Sequence, residues 1–462
     1  MSQPASRSWL NALPAAFKAY QNGRRLDEVE CIIPDLNGMS RGKAMPLNKF
    51  SPETPIFLPI SIFYQTITGQ DVEMDIDNQW AESDMVLVPD MSTAMAVPWA
   101  KQATLQIIHD LQDFDGKPIF CAPRNILKQV IGLYQQRGWK PVVAPELEFY
   151  LTKPNIDPNE PIQPPVGRNG RSGTALQSYS MSAVDEYGPV IDTIYDYAEA
   201  AGLHIDSVIQ EDGAGQVEFN LTHGDPLLLA DQVFYFKRII KEAALNNNMF
   251  ATFMAKPMRD QPGSAMHVHQ SVVDIASGQN IFSDGDGNET DLFRYFIGGT
   301  QRHLREVMPL IAPNVNSYRR FESEANSSAP TNLAWGYDNR ATGLRVPHSG
   351  AQDRRLENRV IGVDTNPYLS IAASLACGYL GMVNRIEPGA PAEGELDDHQ
   401  HTESYIPTTF DEALRIFANA DEVHQALGEN FCRLYAEVKK EELRQFHREI
   451  SPWEREHLLL NV

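Results

Sequence analysis

An α+β fold is predicted for this chain by three features of its sequence. Short, apolar, strand-like pieces dominate the first stretch, and helical and strand periodicities alternate after it. A turn dipeptide followed by Lys117-Pro118, at Asp115-Gly116, separates the two regions. The expectation is a small domain over 1–115 and a larger one over 116–462.

A helical opening is expected from Ser8 to about Tyr20. Val29-Glu30-Cys31-Ile32-Ile33-Pro34 reads as a strand closed by the tight turn Asp35-Leu36-Asn37-Gly38. Strand-like pieces continue to Met85-Val86-Leu87-Val88-Pro89. Beyond Pro123-Arg124, a helix near Asn125 to Arg137 leads to a strand carrying Glu146. A helix near Pro189 to Ala201, the strand Val217-Glu218-Phe219-Asn220, and a helix through Leu227 to Asn246 come next. The strand of His267, a helix around Phe293 to Met308, and a helical stretch from Asp411 to about Phe446 complete the order. Three irregular insertions interrupt it, at Lys153–Gly173, Tyr318–Trp335 and the acidic Glu387–Tyr405. Loops of that length in a compact domain usually carry function.

With 462 residues, 42% hydrophobic and 22% charged, the chain can bury a core for two domains. No apolar run approaches the ~20 residues that span a bilayer. The N-terminus lacks the apolar core of a signal peptide, so a cytoplasmic location and no membrane partner are expected. The four cysteines, Cys31, Cys121, Cys377 and Cys432, are far apart and read as buried small hydrophobes. A formal net charge of −22 argues against nucleic acid and weakly favours cationic substrates.

Two segments suggest a metal wall, Glu146-Leu147-Glu148 and His267-Val268-His269. Side chains two apart on a strand share a face, so each pair can aim both its ligands at one place. Either pattern alone is common among 61 acidic residues and 12 histidines. Two more segments strengthen the suggestion. Glu211-Asp212-Gly213-Ala214-Gly215-Gln216-Val217-Glu218 brackets a glycine turn with carboxylates, and Arg355, Glu357 and Arg359 alternate along a strand.

These segments resemble, in order and over the whole chain, the glutamine synthetase family. Further matching motifs are Asp35 to Gly38 with Arg41-Gly42-Lys43, Ser83-Asp84-Met85 with Pro89-Asp90, and Ala251 to Pro257. Asn339-Arg340 to Arg345-Val346-Pro347 and Asn366-Pro367-Tyr368-Leu369 also match. The resemblance implies an N-terminal β-grasp domain and a larger catalytic domain with a curved antiparallel sheet. It also implies a homo-oligomer, a dodecamer of two stacked hexameric rings with active sites between subunits.

By the same resemblance, Glu148, Glu211 and Glu218 would hold one divalent ion and Glu146, His267 and Glu357 a second. Oxygen and imidazole donors suit Mg²⁺ or Mn²⁺. His269, Ser271, Arg340, Arg345 and Arg355 would face ATP, and Gly263, Arg320 and Arg359 the glutamate. Arg320 and Arg340 would also act on the transferring phosphoryl group. Asp35, from the adjacent subunit, would take a proton from the amine, with Tyr179 beside it and Glu211 in the same pocket.

Departures from glutamine synthetase proper point to a larger amine. Ser328 stands before Ala329-Pro330, where that enzyme carries a glutamate over its ammonium site. Pro59 to Tyr64 is bulkier and more apolar than the usual run and would suit an alkyl chain, while a packing role for Phe63 fits equally well. The tyrosine that bacterial glutamine synthetases modify is missing from the Glu387–Tyr405 loop. The pattern is most similar to γ-glutamylpolyamine synthetases, although Ala265 and Ser323 depart from it. The expected activity is ATP-dependent ligation of glutamate to putrescine, spermidine or spermine in polyamine catabolism. The alternatives are a monoamine ligase, a glutamine synthetase using ammonium, and a non-catalytic scaffold. All six metal-ligand positions are filled, which disfavours the scaffold.

Overall fold

A computed structural model describes residues 8–74, 83–322, 329–394 and 405–462. Six strands from the first 112 residues form one sheet: β1 Leu26–Pro34, β2 Ser40–Pro46, β3 Ile56–Pro59, β4 Asp84–Pro89, β5 Met95–Ala96 and β6 Ala103–Gln112. Their order is β2-β1-β6-β4-β3, with β5 on β6, and β1 runs parallel to β6. The opening helix is shorter than expected. A 3₁₀ turn at Ser8–Ala12 stops ahead of Pro14, and Ala15–Gln21 restarts as α-helix. Proline is tolerated in the first turn of a helix and not in its interior.

Eight later strands form the second sheet: β7 Trp139–Thr152, β8 Ile205–Gln210, β9 Gln216–Leu221, β10 Phe250–Thr252, β11 Val268–Asp274, β12 Trp335–Tyr337, β13 Leu344–Val346 and β14 Leu356–Asn358. The order is β12-β13-β14-β11-β7-β9-β8, with β10 on β7. Every pair is antiparallel except β12 with β13, a local departure from the expected all-antiparallel sheet. The 14-residue β7 is its spine. Residues 139–145 pair with β11, and residues 146–150 pair with β9 on the other edge.

Two long helices back the sheets. Pro226–Asn246 starts at Asp225, whose side chain accepts from the Leu227 and Leu228 amides. Pro367–Asn384 starts at Asn366, which accepts from Tyr368 and Leu369. Both carry proline at the first helical position, where its missing N–H costs nothing. The first helix ties to the N-terminal sheet through the Arg238–Glu30 ion pair. The second is buried along nearly its whole length. The helix expected over Phe293 to Met308 is broken into Asp291–His303, a 3₁₀ turn at Leu304–Val307 and a short helix at Met308–Ile311, where Pro309 interrupts it. Asp411 to Phe446 divides into three helices, Phe410–Phe417, Asp421–Leu427 and Glu429–Arg448. No helix among the described residues is long and apolar enough to cross a membrane.

Candidate active site

Strand register builds the site. Glu148 on β7 lies opposite Glu218 on β9, and His269 on β11 lies opposite Glu357 on β14, which faces Arg345 on β13. His267 sits one residue ahead of β11, but its carbonyl accepts from the Glu146 amide at 2.9 Å, which extends the ladder. The glycine turn from 211 to 216 closes β8 onto β9. Gly213 is needed there, because a Cβ would fall 2.0 Å from the Tyr150 hydroxyl.

These side chains line one cavity of about 760 Å³. Glu146, Glu148, Glu211, Glu218, His267 and Glu357 face Arg320, Arg340, Arg345 and Arg359 across it, with Gly263 on the wall. Glu146 joins the two histidines, meeting His267 Nδ1 at 3.2 Å and His269 Nε2 at 2.9 Å. Arg355 Nε donates to His269 Nδ1 at 3.1 Å, which leaves the His269 proton on Nε2, toward Glu146. Glu357 accepts from Arg359 at 2.7 Å and Arg345 at 2.8 Å.

The electrostatics separate the carboxylates into two groups. Burial works to raise Glu146, but the hydrogen bonds and charges of His267 and His269 outweigh it and hold the carboxyl well below the usual range. Burial also opposes ionisation of Glu357, and His267, Arg359 and His269 together bring it down to about 2. The other three are pushed up. Burial and then Glu211 raise Glu148 to about 8, and burial and then Asp212 and Glu146 raise Glu211 to about 7. Burial and the surrounding glutamates raise Glu218 to about 10. Burial and then Arg359 pull His267 below its ordinary value, against the hydrogen bond to Glu146 that works to raise it. A desolvated cluster of carboxylates with too few cations is a donor set that a hard divalent ion fits.

Ligand atoms lie within 4.8 Å of one another in each of two groups, Glu146 with His269 and Glu357, and Glu146 with Glu218 and His267. This differs from the expected sets, since His269 enters one group and Glu146 is shared by both. Arg355 stays with His269, to which it is hydrogen-bonded. With His269 and Ser271 it lines a second cavity of about 450 Å³, joined to the first through Glu146 and Asn220.

Arg320 is 2% exposed and donates to the carbonyls of Val360 and Ile361. Tyr179 lies at the cavity wall, 64% exposed. Phe63 and Asp35 are not among the residues that line this cavity, and Asp35 is expected at the site of an adjacent subunit, not of its own. Phe63 is 0% exposed, so core packing takes the ring. Asp35 is 2% exposed, with Oδ1 accepting from the Asn37 and Met39 amides and Oδ2 from Arg41 Nε at 2.8 Å. Ser328 lies outside the described residues. Sequence reasoning missed Ser178, Asp212 and Asn220, all of which line the cavity. Asp212 had a legible signal, its position beside Glu211 in the glycine turn.

Carboxylates and imidazole facing arginines at the ends of a curved sheet define a class of enzyme that brings phosphate and carboxylate together. The sequence profile of the glutamine synthetase catalytic domain matches residues 120–458. The γ-glutamylputrescine synthetase of Escherichia coli (strain K12) is 34% identical over 441 residues, covering 94% of this chain and 92% of that one. The glutamate–isopropylamine ligase of a Pseudomonas species is 34% identical over 378 residues, covering 80% of each. Among solved structures, apo GmaS without ligand superposes with a TM-score of 0.81 at 25% identity, over 97% of this chain and 99% of that one. The chain belongs to the glutamine synthetase family. It is an ATP-dependent carbon–nitrogen ligase of the glutamate–amine type.

Proposed function

We propose that this enzyme joins the γ-carboxylate of L-glutamate to a short diamine or polyamine, such as putrescine, spermidine or spermine, through γ-glutamyl phosphate. The observation that carries this reading is Asp212, an acid that lines the cavity of about 760 Å³ beside the candidate metal ligands and could meet a second cationic nitrogen. The likeness to a γ-glutamylputrescine synthetase over nearly the whole chain supports the same class.

Two anions must meet when a γ-phosphoryl group moves onto a carboxylate, so the site needs fixed positive charge. Glu146, Glu148, Glu211, Glu218, His267 and Glu357 would hold two Mg²⁺ or Mn²⁺ ions. Bound there, the ions would offset the charge of phosphate and carboxylate. Arg320 and Arg359 would hold glutamate, with Gly263 giving Arg320 its room. Arg340 and Arg345 would meet the phosphates from one side, and His269, Ser271 and Arg355 from the second cavity. Alkylammonium must lose a proton before it attacks the acyl phosphate. Asp35 enters this reading as a base only if a second subunit carries it to the cavity, in the ring assembly implied by family resemblance. A cytoplasmic enzyme of polyamine breakdown fits this chemistry.

Similarity to a glutamate–isopropylamine ligase favours a monoamine as the second reading. The test is phosphate release from ATP with glutamate, Mg²⁺ or Mn²⁺, and a panel of ammonium, isopropylamine, putrescine, spermidine and spermine. Strongest turnover with di- and polyamines is expected. A preference for isopropylamine would move the enzyme to the monoamine class, and turnover with ammonium alone would make it a glutamine synthetase.

A further inference from the structure

Among the described residues that line the main cavity, Asp212 is the carboxylate outside the six candidate metal ligands. We infer that Asp212 is the specificity-determining residue that receives the distal ammonium of a diamine whose other nitrogen attacks near Glu211. This rests on the proposed diamine reading.

The local backbone fixes where this carboxylate stands. Gly213 packs against the Tyr150 hydroxyl, so the turn following β8 cannot shift further toward Tyr150. The Asp212 carbonyl accepts from the Leu176 amide at 2.7 Å, and the Tyr179 amide is bound by the Gln210 carbonyl at 2.9 Å. The Asp212 carboxylate accepts from the Ser178 hydroxyl. A strap around Ser178 is thereby stitched to the turn, and Ser178 and Tyr179 become cavity wall beside Asp212. Tyr179, 64% exposed, brings an aromatic side chain to the same cavity. A ring and a carboxylate in one cavity suit an alkylammonium, through cation–π attraction and a charge-assisted hydrogen bond.

Glu211 and Asp212 are consecutive, with Cα atoms about 3.8 Å apart, and both line the cavity. A diamine has a second cation to place against the second acid, and a monoamine has none. Asp212 also anchors the strap, so its charge must be tested apart from that anchoring.

Asp212→Asn makes the separation, because its amide oxygen can still accept from Ser178 while the charge is gone. The measured quantity is the ratio of kcat/KM for putrescine to kcat/KM for n-butylamine. In the variant this ratio should fall about tenfold or more, the scale of a lost charge-assisted hydrogen bond. Ser178→Ala, which removes the donor and keeps the acid, should hold the ratio closer to wild type than Asp212→Asn does. A ratio unchanged in Asp212→Asn, including parallel loss on both amines, overturns the inference. The wild-type enzyme is the separate check on the diamine reading, which fails if n-butylamine is already the better substrate.

Discussion

Gly263 and Arg320 are packed so closely that a single methyl group between them cannot be accommodated. A Cβ on residue 263 would stand 2.4 Å from Arg320 Cγ and 2.9 Å from the Ala255 carbonyl oxygen. The backbone oxygen cannot yield, so the arginine stem must.

Gly263→Ala is therefore expected to displace Arg320 from the Val360 and Ile361 carbonyls. Overpacking of this kind costs about 1–3 kcal/mol, which, if spent on the Arg320 contact with glutamate, is about a 5- to 150-fold loss in kcat/KM for glutamate. Steady-state phosphate release against glutamate concentration reads it. Wild-type kinetics in the variant would show that Arg320 does not handle glutamate.

Divalent ions are expected to stabilise the protein, because Glu148, Glu211 and Glu218 crowd together with raised carboxyls. Mg²⁺ or Mn²⁺ at about 100 times its Kd should add about 2.7 kcal/mol, and a chelator should remove it. In metal-free protein, Glu218→Gln should not lower the thermal midpoint, since it takes away a repelled acid, yet it should diminish the ion-induced rise. A midpoint indifferent to divalent ions would contradict the metal assignment.

Arg124 holds together the ends of β4 and β6 and the helix Pro226–Asn246. It is 3% exposed and pairs with Asp231 at 2.9 Å and Asp90 at 2.7 Å, and also with Asp110. The Tyr368 hydroxyl donates to Asp231 at 2.7 Å. Arg124→Met strands a buried Asp231 and should cost about 3–5 kcal/mol in urea unfolding. Adding Asp231→Leu should recover part of the loss. A single variant as stable as wild type would show that the cluster contributes nothing.

His109 on β6 should make stability depend on acid. Burial pulls its imidazole down to about 4 from an ordinary 6.5. Between those values the unfolded chain binds a proton that the folded chain refuses. The native state therefore loses stability as pH falls from 6.5 toward 4, by about 1.4 kcal/mol per pH unit at the steepest. His109→Leu should flatten this part of the curve relative to wild type. Parallel wild-type and variant curves of thermal midpoint against pH would refute it.

Much of the site was legible because a strand repeats its direction every second residue. Glu146 and Glu148 needed no partner to be placed on one face, and both line the cavity. The Glu211 to Glu218 turn was legible for a similar reason, since its glycines announce a tight return. Phe63 stayed open to two readings because side-chain type does not reveal burial. An aromatic ring suits an alkyl chain and a hydrophobic core equally, and the core took this one. Asp212 was passed over because a carboxylate in a turn is ordinarily a turn-former, and only the folded turn shows it lining the cavity.

Local chemistry by itself determined which residues carry charge, where strands and turns begin, and which neighbours share a face. Tertiary structure alone decided that His269 stands opposite Glu357, and that Glu146 joins both histidines. Partners so distant in sequence are brought into register by the burial of one shared core, and no local spacing encodes that packing.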